Sequence, residues 1–337
     1  MKPLRIFSTR RGKCIFWITL SLLTVGCGLV SLLAGSVRLA PGEVLMALMG
    51  RDTQSVAARI VLFSRLPRTC ASLMAGAALA VAGGVIQTVL NNPLASPGVI
   101  GINSGAGLAV AILCAIAPFA QKWAPMAAFC GAVVSVLLVV GLASVTGASK
   151  MTVVLAGVAL SNLFSALIDG VVTVVPDALV GVTDFRIGGF TGVTMEQLAP
   201  AAVLIGLGLL LVCSFASRMD ILALGGDVAR SLGLSVTALR LVLLLACAML
   251  TGAAVSFSGL IGFVGLIVPH IMRCFVGQEH GKLLPAAALG GGCFVTLCDL
   301  VSRTVFAPYE VPVGIVLSVV GCPFFLWILL RQRGGRG

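Results

Sequence analysis

The chain has 337 residues, 59% of them hydrophobic and only 10% charged, with a mean hydropathy of +1.15. Soluble domains carry roughly 25% charged residues, so a water-facing surface cannot be clothed, and an all-α polytopic membrane protein is predicted. The formal net charge of +11 does not point to nucleic acid: the basic residues are scattered between apolar runs and cluster only at the two ends, which is a topology signal.

A helix that crosses a bilayer needs about 20 apolar residues. Ten such spans are predicted, at about 14–35, 69–90, 98–118, 124–146, 152–175, 199–217, 240–258, 259–276, 283–305 and 312–330. The first follows Lys2, Arg5, Arg10, Arg11 and Lys13, but its 22 residues exceed the 7–15 of a signal-peptide core, so it reads as a retained span. Ten spans put both termini on one side. Fourteen of the 22 Lys and Arg fall on that side, which makes it cytoplasmic. The expected organisation is one membrane domain, 1–337. It has a cytoplasmic N-terminus (1–13), an external loop (36–67), a cytoplasmic loop (218–239) and a cytoplasmic tail (331–337). Within the external loop, PGEVLMALMG (41–50) has the Pro and Gly punctuation of a short surface helix.

Several stretches carry polar residues where the pattern gives them meaning. SRLPRTC (64–70) places Arg65 and Arg68 at the outer start of the second span, either as headgroup anchors or as a docking pair whose spacing Pro67 fixes. NNPLASPGVIGINSGAG (91–107) makes a proline-stiffened corner followed by Gly101, Gly105 and Gly107, which permit close backbone approach. It is not a phosphate loop, because no strand precedes it and no Lys-Ser/Thr follows. Asp169 is expected near the outer interface, about 26 Å along its span.

In the loop SRMDILALGGDVARSLGLSVTALR (217–240), DVARSL reads as a single short helix with Asp227 as N-cap, Arg230 near its end and Gly233 as a left-handed stop. Leu224, Val228, Leu232 and Leu234 give it an apolar side, which either lies on the protein itself or docks into something cytoplasmic. In SGLIGFVGLIVPH (258–270), Gly259, Gly262 and Gly265 predict a bare helical stripe that Pro269 and His270 end, His270 being structural. In CDLVSRTVF (298–306), the i, i+4 spacing lets Asp299 orient Arg303. The eleven cysteines show no metal-ligand spacing, and no nucleophile and base, paired acids or cofactor fingerprint appears. The chain is expected to be non-catalytic, with no metal and no cofactor of its own.

Taken together, RLPR (65–68), GAALAVAGGVIQTVLNNPLASPGVIGINSGA (76–106), LAGVALS (155–161), LALGGDVARSLGL (222–234), GFVGLIVPHIMR (262–273), LLPAAALGG (283–291), DLVSR (299–303) and VPVGIVLSVVGCPFFLWILL (311–330) resemble the FecCD family. These are permease subunits of binding-protein-dependent ABC importers for iron-siderophores, haem and vitamin B12. The resemblance implies a type II ABC importer permease fold like that of the vitamin B12 transporter, in a bacterial inner membrane. Its implied partners are a second permease subunit (a copy or a paralogue), two ABC ATPases that bind the ATP, and an external substrate-binding protein. It further implies ATPase coupling through Leu224, Gly226, Asp227, Ala229, Arg230, Leu232, Gly233 and Leu234. A cytoplasmic gate is implied at Asn92, Pro93 and Leu94 with Lys150 and Met151, and binding-protein docking through Arg65, Arg68 and Arg303 with Asp299 behind. The chain departs from the family at Phe185, where Trp is usual. A ferric siderophore is the expected cargo, with haem or cobalamin open. An ion-coupled secondary transporter is the alternative class, disfavoured because no mid-membrane acid is evident; a passive channel is a third.

Overall fold

The computed structural model describes residues 10–51, 55–145 and 150–333. Residues 1–9, with Lys2 and Arg5, and 334–337, with Arg336, lie outside the described residues; so does the side chain of Lys150. The helices are α1 (Arg10–Leu33), α2 (Pro41–Leu48), α3 (Val56–Ile60), α4 (Leu66–Val89), α5 (Ile102–Ile116), α6 (Ala124–Val145), α7 (Lys150–Val174) and α8 (Leu179–Ile187). They continue as α9 (Met195–Ser214), α10 (Ala216–Ala223), α11 (Gly226–Ser231), α12 (Val236–Ser258), α13 (Val264–Val276), α14 (His280–Thr304) and α15 (Val313–Arg333). No strand occurs among the described residues.

Among the described residues seven helices are long and apolar enough to cross a membrane, and α5, α13 and α15 are shorter apolar helices; these ten correspond to the ten predicted spans. The end of the bundle where α1 begins is called proximal here, and the opposite end distal.

Two predicted boundaries move for identifiable reasons. The second span does not start at 69. α3 begins after Ser55, whose hydroxyl accepts from Ala58 N at 3.1 Å, and runs through a π turn (Val61–Arg65) into α4 without a break. Pro67 removes a helical donor and crowds the preceding turn. The widened turn just ahead of it, where Leu66 N–H bonds Val61 O, lets the chain stay helical. The eighth span starts late. Residues 259–263 are not helical, Gly259 and Phe263 have φ of +62° and +65°, and α13 begins only at Val264. The expected three-glycine stripe is therefore reduced to Gly265, and Pro269 lies inside α13, which continues to Val276. α8 and α10 were not foreseen: α8 is too short to span, and α10 is separated from α11 by Leu224 and Gly225.

α4 is the axis of the fold, with nineteen buried residues along its length. α14 lies against it where Gly76 meets Gly291, so closely that a Cβ on either would overlap the other's carbonyl. On another side a Cβ on Gly83 would overlap the carbonyl of Gly265 of α13, and one on Gly265 would press on the Leu79 carbonyl. Gly105 of α5 and Gly131 of α6 make an equivalent contact. Without a hydrophobic drive between helices in lipid, such backbone approach supplies the dispersion that holds them together.

A side chain at these crossings forces the helices apart. Gly76→Val is expected to destabilise the fold by at least the 1–3 kcal/mol typical of overpacking. Gly170→Ala, at a helical site with nothing within 4 Å of an added Cβ, should be neutral or slightly stabilising. Thermal unfolding of the detergent-solubilised protein distinguishes them, and equal midpoints would refute this account of the α4–α14 contact.

Candidate functional site

At the distal end the polar residues of α1, α4 and α14 converge. Asp299 is fully buried, and Arg65, Arg68 and Arg303 are 3%, 8% and 2% exposed. The Arg68 Nε–H donates to Asp299 Oδ1 at 2.9 Å, and its Nη1 donates to Glu310 Oε2 at 2.6 Å. Arg303 Nε lies 3.5 Å from Asp299 Oδ2, as the i, i+4 spacing predicts. Its Nη2 donates to the Ser31 carbonyl and hydroxyl at 2.7 and 2.6 Å. Arg65 donates to the carbonyls of Leu32, Leu33 and Val37, binding the end of α1.

The arginines are thus not presented at an outer surface, and that expectation is corrected. Because the helix runs on through Leu66–Pro67, it carries them into the bundle, where a guanidinium keeps its charge only among carboxylates and carbonyls. Of this cluster only Glu310, at 32% side-chain exposure, reaches the rim. Asp169 is paired with Arg186 at 3.2 Å on the surface, and both side chains are well exposed.

Close to the arginines, a cavity of about 510 Å³ is lined by Arg68, Asp184, Phe185, Gln197, Ser258 and Pro312 among others. Phe185 sits at the end of α8, where its carbonyl accepts from Leu260 N at 2.8 Å, joining α8 to the non-helical 259–263 segment.

At the proximal end, α11 is a single short helix, but its N-cap is Gly225 with φ of +118°; Asp227 stands one residue inside the first turn and caps nothing. Its end follows the sequence expectation. Gly233 has φ of +82°, Gly233 N bonds Arg230 O at 2.9 Å and Leu234 N bonds Ala229 O at 3.0 Å, the pairing of a Schellman stop. Ala229 is buried against the subunit, and Gly226 leaves space beside the Arg240 guanidinium. Leu224, Val228 and Leu232 instead face outward at 66%, 46% and 62% exposure, together with the exposed Asp227 and Arg230; Leu234 is half-buried.

α4 ends beside this loop in a second Schellman stop. Asn91 has φ of +49°, Asn91 N bonds Thr88 O at 3.1 Å, and Asn92 N bonds Gln87 O at 2.9 Å. Leu94 N then donates to Asn92 Oδ1 at 2.9 Å, which holds Pro93 in a tight corner. Asn91, Asn92 and Pro93 line a cavity of about 780 Å³ with Arg273, His280 and Trp327. Met151 is exposed at the start of α7 and does not line it.

Residues that sequence reasoning passed over stand behind this corner. Asp220 Oδ1 accepts from both His280 N (2.9 Å) and His280 Nδ1 (2.6 Å), and His280 Nε2 is 2.6 Å from Thr88 Oγ1. Arg273 donates to Gln87 Oε1, whose amide donates to Gly265 O at 3.1 Å. The available signal was a histidine with an adjacent acid, Glu279-His280, just ahead of an apolar run, but its partner Asp220 is 60 residues away. His270 packs edge-on to Phe324 with ring centroids 6.3 Å apart. No group of three or more His, Cys, Asp and Glu able to hold a metal occurs among the described residues.

Residues 22–331 match the FecCD transport family. Over 336 residues, 97% of this chain and 98% of the relative, the sequence is 37% identical to a probable siderophore transport system permease protein of Bacillus subtilis (strain 168). It is 38% identical over 285 residues to a hemin transport system permease protein of Yersinia pestis, covering 81% of this chain and 83% of the relative. Among solved structures, a metal-chelate type ABC transporter in an inward-facing conformation superposes with a TM-score of 0.83 at 28% identity, covering 93% of this chain and 98% of the other.

Asp299 serves two arginines, whereas Glu310 serves one from the rim. Asp299→Ala should therefore cost about 3–5 kcal/mol, the usual penalty for leaving a buried charge unpaired. Glu310→Gln should cost no more than about 1 kcal/mol. Unfolding midpoints of the two variants in the same detergent provide the comparison, and a Glu310 effect as large as that of Asp299 would reverse the assignment.

Proposed function

The chain belongs to the FecCD transport family and is a multi-pass permease subunit of an ABC importer, not an enzyme; on that premise we propose that residues 222–234 are the part of it that its ATPase grips. The observation that carries this reading is the outward apolar face of α11. Leu224, Val228 and Leu232 project from a turn closed by the Gly233 Schellman stop, on a loop whose buried residue, Ala229, already anchors it to the subunit. A membrane does not account for the exposed face, because Asp227 and Arg230 share it. A cleft on a cytoplasmic protein fits a short helix of mixed character.

The proximal end is then cytoplasmic, in accord with the distribution of Lys and Arg. ATP is bound and hydrolysed in two partner ATPase chains, and a second permease subunit, copy or paralogue, completes the path. The Asn92–Pro93–Leu94 corner, with Lys150 and Met151 of α7, forms the cytoplasmic constriction. An external binding protein meets the distal end, where the buried arginines hold the shape of the docking face and Glu310 lies at its rim.

The proposed cargo is a ferric siderophore. The support is the likeness to the Bacillus subtilis relative over nearly the whole of both chains. An ion-coupled carrier has no comparable support, since the only acid buried deep in the bundle among the described residues, Asp299, is occupied by two arginines.

Reconstituted with its ATPase and binding protein in liposomes, the permease should accumulate iron-55 delivered as a siderophore complex and not cobalamin; the opposite preference would overturn the cargo. Gly233→Val forces a β-branched residue into the left-handed stop. It should leave membrane insertion unchanged and cut uptake about tenfold or more, as a cost of 1–2 kcal/mol at the coupling contact implies. Full uptake by this variant would refute the α11 reading.

A further inference from the structure

Thr88 and Gln87 are the residues whose carbonyls receive the two hydrogen bonds that fix the Asn91–Asn92 turn. The same two residues have their side chains tied elsewhere, Thr88 to His280 and Gln87 to Arg273 and Gly265. His280 is in turn held twice by one oxygen of Asp220, through its backbone N–H and its ring Nδ1. Asp220 sits on α10, which only Leu224 and Gly225 separate from α11. An unbroken polar chain therefore runs from the α10–α11 hairpin through the first residue of α14 to the last turn of α4 and the corner beyond it.

We propose that His280 is the positioning residue through which movement of the α10–α11 hairpin reaches the Asn92–Leu94 corner. The geometry suits a rigid link. An imidazole is planar, with its two nitrogens on opposite edges, so a partner on each side is held at a fixed separation. The Asp220 carboxylate keeps the proton on Nδ1 and orients the ring toward Thr88. His280 is 3% exposed, so little of the ring is open to water, although the Asp220 side chain is 37% exposed. Apolar packing between α10 and α4 would let the helices slide; two short charge-assisted hydrogen bonds on one carboxylate oxygen resist sliding and carry a pull as well as a push.

This inference rests on the reading of α11 as the ATPase contact. The test uses the assembled complex, permease subunits with their ATPases in lipid nanodiscs, with native cysteines of the permease replaced. Spin labels are placed in one subunit as the pair Val228–Val134, which follows the hairpin, or the pair Leu94–Val134, which follows the corner. Nucleotide-free and ATP-trapped distances are then compared. In the parent both distances change.

In His280→Phe, which keeps the ring's bulk, and in Thr88→Val, which removes only a hydroxyl, the Val228 change should persist. The Leu94 change should shrink by more than half, and cargo moved per ATP should fall about tenfold, equivalent to one hydrogen bond of about 1.4 kcal/mol. A structural role alone would lower stability without separating the two distances. If the variants move at Leu94 as the parent does, the relay is wrong and the α11 reading stands. If the parent's Val228 distance ignores ATP, the α11 reading falls and takes the relay with it. Thr88→Val alone suffices should the His280 variant not assemble.

Discussion

α4 passes through the middle of a lipid-embedded bundle, and so every polar group it carries must find its partner inside the protein. Backbone demands are met by the helix itself; side chains have only neighbouring helices to turn to. Arg68 and Thr69 at one end bond to α14, the segment after it and α1, and Gln87 and Thr88 at the other bond to α13 and α14. Between these polar ends the helix is mostly Gly, Ala and Val with a few larger residues such as Leu79 and Ile86, and Gly76 and Gly83 make the closest crossings. The result is a rod held stiffly along its middle by backbone contact and addressed at each end by charged neighbours. Such a rod transmits displacement along its length or resists it, depending on which end is released.

Two stretches of backbone fall outside the α-helices, and both are sheltered. Residues 97–101 end with Gly101 at φ of +79°, whose carbonyl accepts from the buried Ser135 hydroxyl at 2.8 Å, while Val99 and Ile100 pack on the bare Gly157 of α7. Residues 259–263 are tied to the end of α8 by Leu260 N to Phe185 O and by Gly189 N to Ser258 O, both at 2.8 Å. Broken backbone at membrane depth is tolerated where protein covers it or a cavity needs it. Here it shortens α5 and α13 to about 22 and 20 Å at 1.5 Å per residue, and it brings the end of α8 within bonding distance of α12 and α15.

The ten apolar segments were legible because lipid imposes a length and a composition that few other constraints counterfeit. Gly233 was legible too, since a left-handed stop has a residue signature. What escaped the sequence depends on long-range pairing. Leu-Pro between two arginines reads as a helix start, and nothing local says that a π turn will carry the helix through it or that Asp299, 231 residues later, will meet Arg68 inside. The glycines at 259 and 262 have the period of a packed stripe, whereas the chain leaves the helix at Gly259, at φ of +62° against Phe185 and Gly188. His280 was overlooked in favour of His270 because its meaning comes from Asp220 and Thr88, which the chain places far from it.

The separation between Arg68 and Asp299 also sets an order of events when the protein is made. α4 emerges from the ribosome with two arginines in its first turns, and the carboxylate that neutralises one of them follows 231 residues later. At synthesis rates of 5–20 residues per second, α4 waits roughly 10–50 seconds for α14. A helix with the Arg68 guanidinium unpaired and a surface of small residues is poorly suited to lipid during that interval. Its insertion is completed late, by closure of the C-terminal third over it, so a chain truncated before α14 leaves the core helix of the permease as a substrate for membrane quality control.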